Sequence, residues 1–298
     1  MHLSFTNYQT AMIRTFILLL CLCGLADTID LAAQPKNNMV MSNGARVDVP
    51  YTVVDKASLR VSYALNADDL EDLSTYIDLQ YLEVGSQISK YYSAFLSWSD
   101  SISAEWMKAN PGQGRPFWRG EGGKKPDCWS EYQYCEIFRS GSEQTTYCRM
   151  PSYMSNCDCW YTEPYPQQQW QLLADTLTLC GQLCQKATCH FRGRDFEAWF
   201  APQIPVGQGP WTFGGLPGLI LKLQDADSLY VFECVRIEQG HFPIRKYDTD
   251  GYKQMPRDKV LKLQRKFNED YFRVINARDM ETGKTISIYK PYEPLELE

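Results

Sequence analysis

The residues of this 298-residue chain that could do chemistry are its cysteines, its few histidines and two arginines flanking one glycine. Of the 11 cysteines, nine fall between positions 128 and 234. Cys157-Asp158-Cys159 puts two thiols on one face of an extended chain, with Cys128 before them and His190 after. Thiolates and an imidazole together suit a soft metal. The spacing differs from the Cys-x2–4-Cys of structural zinc, and Cys180-x3-Cys184 differs from the redox Cys-x-x-Cys. In an oxidising compartment the same nine residues predict disulfides, and the odd number leaves one thiol over.

Arg192 and Arg194 flank Gly193 in a tight turn beside Phe191, Phe196 and Trp199. Such a turn either presents a guanidinium pair to an anionic group at the rim of an apolar cleft or is simply solvated. Trp199, Phe200, Trp211 and Phe213 are core, or line a pocket for a lipid or peptide. The candidate ligand-binding set is therefore Arg192, Arg194, Trp199, Trp211 and Phe213. His190, on a strand beside Cys189, is expected to face Glu197 across the turn at 192–195, which either orients an imidazole or makes an ordinary surface pair. No Gly-x-Ser-x-Gly elbow occurs, and no glycine-rich stretch ends in Gly-Lys-Ser/Thr. No catalytic residue, metal ligand set or cofactor is expected.

A composition of 44% hydrophobic, 22% charged and 13% aromatic residues is that of a globular, β-favouring protein. With a net charge of −6 there is no basic surplus to neutralise phosphates, so a nucleic-acid partner is excluded. Residues 1–33 read as an export signal. Arg14 precedes an apolar run over residues 16–26, too short to span a bilayer, and cleavage falls after Ala26 or Ala33. Cys21 and Cys23 raise a lipid-anchor reading, but Leu20 and Leu22 precede them where a small residue is wanted. No later apolar run reaches the ~20 residues of a membrane helix. These features predict an exported protein, periplasmic, outer-membrane-associated or secreted. Residues 34–298 form a single β-rich domain in this reading, with a loop insertion around residues 110–128 rich in glycine, proline and basic side chains.

Periodicity places the elements. Residues 59–65 alternate, with Leu59, Val61, Tyr63 and Leu65 on one face. Hairpins follow at 78–84 with 90–95, 131–138 with 143–150, 169–179 with 183–191, 183–191 with 196–200, and 219–224 with 229–237. A helix is expected at 97–109, capped by Ser97 or Ser99, and another at 257–272 with Val260, Leu261, Leu263, Phe267 and Tyr271 as its apolar stripe. The fold class is mainly β: a curved antiparallel meander or incompletely closed barrel with one or two packed helices. In the hairpin around Ser140-Gly141-Ser142, Cys135 stands opposite Cys148 within one residue of register. Opposed residues of antiparallel strands lie ~4.5–5.5 Å apart at Cα, within disulfide reach, so this pair is the disulfide candidate. Cys128, Cys157 and Cys159 are the alternative partners. Cys184 and Cys189, five positions apart on one strand, point to opposite faces and cannot pair.

Residues 198–221 carry no charged side chain, and four prolines with five glycines exclude a helix there. Such a run is best buried as folded-back loop and strand with the rest of the chain around it. Within it Gly215-Leu216-Pro217-Gly218-Leu219-Ile220 resembles the GLPGLI family of Bacteroidota envelope proteins. The resemblance extends through Cys184, Cys189, Phe191-Arg192-Gly193-Arg194 and Ala198-Trp199-Phe200, and downstream to the strand at 229–237. It implies an exported envelope protein and no particular activity. A sharp reversal at Leu216-Pro217 needs positive φ or close backbone approach at Gly215, Gly218 or both. The functional expectation is a non-catalytic binding or carrier protein for an apolar or amphipathic ligand or an envelope protein. The alternative is a metal- or redox-active factor using the cysteines and His190.

Overall fold

Strand β1, Tyr51–Leu65, contains the stretch expected at 59–65 and starts further upstream. Leu59, Val61, Tyr63 and Leu65 all face the core. In this computed structural model, which describes residues 35–113 and 122–298, β1 is central to one twelve-stranded sheet. The expected signal at 1–33, and positions 114–121 of the expected loop insertion, lie outside the described residues. Strands β2 (Asp78–Gly85), β3 (Ile88–Ser93), β4 (Cys135–Ser140), β5 (Glu143–Cys148) and β6 (Cys159–Pro164) continue from β1 as a meander. A second meander comprises β7 (Gln171–Leu179), β8 (Gln182–Phe191), β9 (Arg194–Ala201), β10 (Leu219–Asp225) and β11 (Val231–Tyr247). The two join where β1 pairs antiparallel with β11 along nearly its whole length. The order is β12-β6-β5-β4-β3-β2-β1-β11-β10-β9-β8-β7, where β12 (Lys253–Gln254) makes the one parallel pairing.

The sheet is not closed into a barrel, yet its flanks meet. Arg192, at the β8–β9 turn, reaches Glu163 on β6 at 2.6 Å, although these strands lie near opposite edges. Twist accumulated over many strands brings the edges round, and side chains rather than a ladder bridge the gap. The inside is filled by the second half of the charge-free loop, 209–218, most of which is buried. Buried loop backbone needs partners. Trp170 Nε1 donates to the Gly214 carbonyl at 2.8 Å and Arg139 to that of Trp211, and just past the loop Tyr63 Oη donates to the Ile220 carbonyl of β10 at 2.7 Å. Both glycines of the reversal are required. Gly215 has φ +80, whereas a Cβ on Gly218 would stand 2.3 Å from the Ala201 carbonyl oxygen.

Three helices pack on the sheet. Helix α1, Ala94–Ala109, starts before its expected position: Ser93 is the cap, accepting the Leu96 N–H, and Ser97 and Ser99 lie inside. The segment expected to begin a strand at 131 is instead a helical turn, α2, Glu131–Tyr134. A strand would send Glu131 and Tyr132 to opposite faces, but both are buried and both bind the C-terminal segment. Helix α3, Arg257–Val274, is kinked at Asp270; it buries Val260, Gln264, Phe267 and Asn268 at helical spacing, and Tyr271 just past the kink. On the other face of β1–β3, Ala94 and Phe95 of α1 pack with Ala64, Tyr76 and Leu79 as a second core. No described helix is long and apolar enough to cross a membrane.

Candidate functional site

The five residues expected to bind a ligand are not gathered around an open cleft. Arg192, at φ 47, joins Gly193 in a two-residue hairpin turn. Its guanidinium is paired with Glu163 and, at 2.7 Å, with Glu296. Arg194 is buried, meeting Asp225 at 3.3 Å and donating twice to the Pro294 carbonyl. Trp211 is buried and donates its indole N–H to Glu296 at 2.8 Å. Phe213 is wholly buried, its ring 4.6 Å from that of Phe196 and 5.4 Å from that of Phe191. Trp199 stands apart on the alternate face of β9, bonded to Glu197 and facing Lys186. An anionic group does meet the arginines, but the chain itself supplies it. The space left beside Trp211, Leu295 and Glu296 is about 20 Å³.

His190 pairs with Asp195 at 2.7 Å, not with Glu197, which sits opposite Thr188. The two-residue turn makes the difference: it places 190 against 195. Both partners are largely exposed, so this is a surface contact. Cys157 and Cys159 do not share an extended face, because Cys157 ends a 3-10 turn and only Cys159 enters β6. Cys135 lies directly opposite Cys148, and Cys148 directly opposite Cys159, with Cys135 and Cys148 Sγ atoms 3.0 Å apart. All three are buried. Cys180, in the β7–β8 turn, brings its Sγ to 3.5 Å from that of Cys234 on β11. Among the described residues no group of three or more His, Cys, Asp or Glu is arranged to hold a metal ion.

The open space lies on the opposite face, under α1. There a cavity of about 210 Å³ is lined by Arg46, Arg60, Lys90, Arg149 and Arg245, against Glu83, Asp100 and Glu136. The alternation that sends Val61, Leu82 and Tyr91 inward sends Arg60, Glu83 and Lys90 here, and the ladder aligns them in one cross-strand row. Arg60 forks onto Glu83 at 3.0 and 2.6 Å and lies over the Phe242 ring at 3.9 Å. Lys90 donates to the Arg245 carbonyl at 2.8 Å, faces the Tyr92 ring at 4.5 Å and pairs with Glu136 at 3.3 Å. Arg46 also pairs with Glu136, and Arg149 with Asp100 at 3.4 Å.

Burial pulls the Lys90 ammonium below its ordinary pKa, an effect Glu136 only partly offsets. Burial would raise Glu136, but Arg46 and Lys90 outweigh it and hold the carboxyl down at about 2. With five cationic and three acidic side chains, the lining carries an excess of two positive groups. Tyr81, Tyr92, Trp98, Tyr134 and Tyr247 provide flat walls. The arrangement can receive a small anion between aromatic planes. Sequence reasoning missed it because charged residues on the alternate face of a strand read as solvated. The signal was a second layer, α1, predicted next to those strands.

Residues 186–222 match the family Porph_ging, described as a protein of unknown function. The chain is similar to that family over β8, β9, the interior loop and the start of β10. No curated protein matches it. Among solved structures, two crystal forms of PNGF-II share 12% identity with it, at TM-scores of 0.42 and 0.43. Each match covers 72% of this chain and 34% of PNGF-II, so the chain spans about a third of that protein's length.

Proposed function

We propose that this chain is an exported cell-envelope protein of the GLPGLI kind that binds a small anionic ligand in the cavity under α1. The observation that carries the reading is the lining: five cations against three carboxylates, walled by aromatic rings around about 210 Å³. That volume is below the ~300 Å³ at which drug-sized sites begin, so the ligand is small. The expected apolar or amphipathic ligand has less support, since the space of about 20 Å³ beside Trp211 has room for little more than one water. Export rests on the apolar run at 16–26, and envelope residence on the hexapeptide at 215–220. In an oxidising compartment Cys135 and Cys148 would form a disulfide, as their register favours. The redox alternative draws on the same row of thiols, without His190.

The test is a panel of small carboxylates, sulfate, phosphate and sugar acids titrated into the mature chain by calorimetry, at low and high salt. One of them should bind, more weakly as salt rises. Arg245, exposed at the cavity's edge, can be changed without opening the core, and Arg245→Gln should weaken the same ligand several-fold. No binding at millimolar concentration, or an unaffected Arg245→Gln, removes the reading.

A further inference from the structure

Residues 292–298 form neither helix nor strand, yet most of them are held. Tyr292 is buried with its hydroxyl on Glu131, and its neighbour's carbonyl, that of Glu293, accepts from Tyr230 Oη at 2.6 Å. The Pro294 carbonyl accepts from Arg194 at 3.1 and 3.0 Å. Leu295 is buried, and its N–H donates to Tyr132 Oη at 2.9 Å. Glu296 receives four donors: Arg192 at 2.7 Å, Trp211 at 2.8 Å, Thr212 Oγ1 at 3.1 Å, and Arg257. This is recognition by side chains, position by position, in the manner of a bound peptide.

The receiving groups are braced without it. Arg192 also binds Glu163, Arg194 binds Asp225, and Tyr132 Oη and Tyr230 Oη lie 3.0 Å apart. Between α3 and this segment runs the stretch 276–291, a turn bridged at Arg278 and Thr285 and bonded back to α3 through Ser287, Ile288 and Lys290, with Met280 72% and Tyr289 64% exposed. From this we infer that the groove formed by Tyr132, Arg192, Arg194, Trp211, Thr212 and Arg257 is a peptide-binding site. Its ligand class is an extended acidic segment with an aromatic residue followed, three and four positions on, by Leu and Glu. Residues 292–296 occupy it as a tethered competitor. A partner protein's segment of that pattern would enter by displacing them. The charge match favours such an occupant: three guanidinium groups meet a segment that carries Glu293, Glu296 and Glu298. The groove is separate from the anion cavity, and either assignment can fail alone.

The test uses the full chain with a protease site placed in the exposed turn at 280–283. After cleavage of the folded protein, a fluorescent peptide of residues 289–298 is added and its anisotropy followed. The peptide should exchange in saturably, weaken with salt, and lose at least tenfold in affinity when it carries Glu296→Gln. The parallel measurement is hydrogen exchange of residues 292–298 in the uncut chain, which should be faster than that of β1. Two outcomes overturn the inference. One is a cut segment that leaves only with global unfolding, which makes it a piece of core. The other is a scrambled peptide that binds as well.

Discussion

Two residues show how burial without relief sets measurable behaviour. A Cβ on Gly218 would stand 2.3 Å from the Ala201 carbonyl oxygen and 2.9 Å from the Pro202 Cα, both backbone and unable to move aside. Gly218→Val should cost more than ~1 kcal/mol of stability in thermal or urea unfolding, because overpacking against backbone has no cheap relaxation. A variant of unchanged stability would mean that the loop can shift. Asp78, at the start of β2, is fully buried. It accepts from Ser93 Oγ at 2.8 Å, and its other oxygen has no partner among the described residues. Burial pushes its pKa up to about 7, and Lys36 offsets this only in part. The folded state therefore holds this proton more tightly than the unfolded chain does. The associated stability is complete below pH ~4 and is lost as pH rises through about 7. Asp78→Asn should match the parent near pH 4 and exceed it by up to ~4 kcal/mol at pH 8, read from urea midpoints across pH. Parallel pH profiles for the two proteins would count against it.

At the scale of elements, the β4–β5–β6 meander sets Cys135, Cys148 and Cys159 in one row across three strands. Cys148 can bond to only one neighbour, and the 3.0 Å approach of Cys135 favours that side. Non-reducing peptide mapping of oxidised protein should link the peptides carrying 135 and 148 and leave Cys159 alkylatable after unfolding. A Cys148–Cys159 link would reverse the choice. The closed loop is short, so the bond is worth at most ~3 kcal/mol, less for a hairpin that already restrains its ends. Cys180 and Cys234 offer a longer clasp, from the β7–β8 turn to β11. It should appear in the same map.

At the scale of the molecule, a sheet with two free edges stays curled because charged side chains tie its flanks. Arg192 is the tie, joining Glu163 of the first meander and Glu296 of the C-terminal segment. Burial would raise Glu296, but Arg192 and Arg257 outweigh it and keep it below the usual carboxylate range. Removing Arg192 leaves Glu163 and Glu296 with Arg257 as their remaining cation, so the loss should fall below the ~3–5 kcal/mol of a fully broken buried pair, at about 2 kcal/mol. Arg192→Met should lower the unfolding free energy obtained from urea titration by that amount and speed hydrogen exchange in both β6 and β8. Slowed or unchanged exchange at both edges would show that loop packing alone holds the curl.

Much of the fold was legible because it is local. Alternation in residues 59–65 and the turn at Ser140-Gly141-Ser142 were legible, and a hairpin register follows from its turn, so Cys135 could be set opposite Cys148 to within one residue. Gly215 and Gly218 were legible for the same reason: the backbone there allows little else. At Arg192-Gly193 the expected turn at 192–195 is two residues too long, which sets His190 against Glu197 instead of Asp195. Elements that answer to distant partners were not legible. Glu131–Tyr134 is a helical turn whose side chains meet Tyr292 and Leu295, partners from the far end of the chain that no local pattern signals. The anion expected at Arg192 was foreseeable in kind, but only folding could show that it is Glu296. The charged cavity depends on α1 covering a strand face that alternation alone assigns to water. The sequence by itself determined which residues alternate and where the chain must reverse, since those depend on neighbours a few positions away. Only the tertiary structure decided which polar face is enclosed and which carboxylate each arginine meets, because those pairings span up to 104 positions of chain.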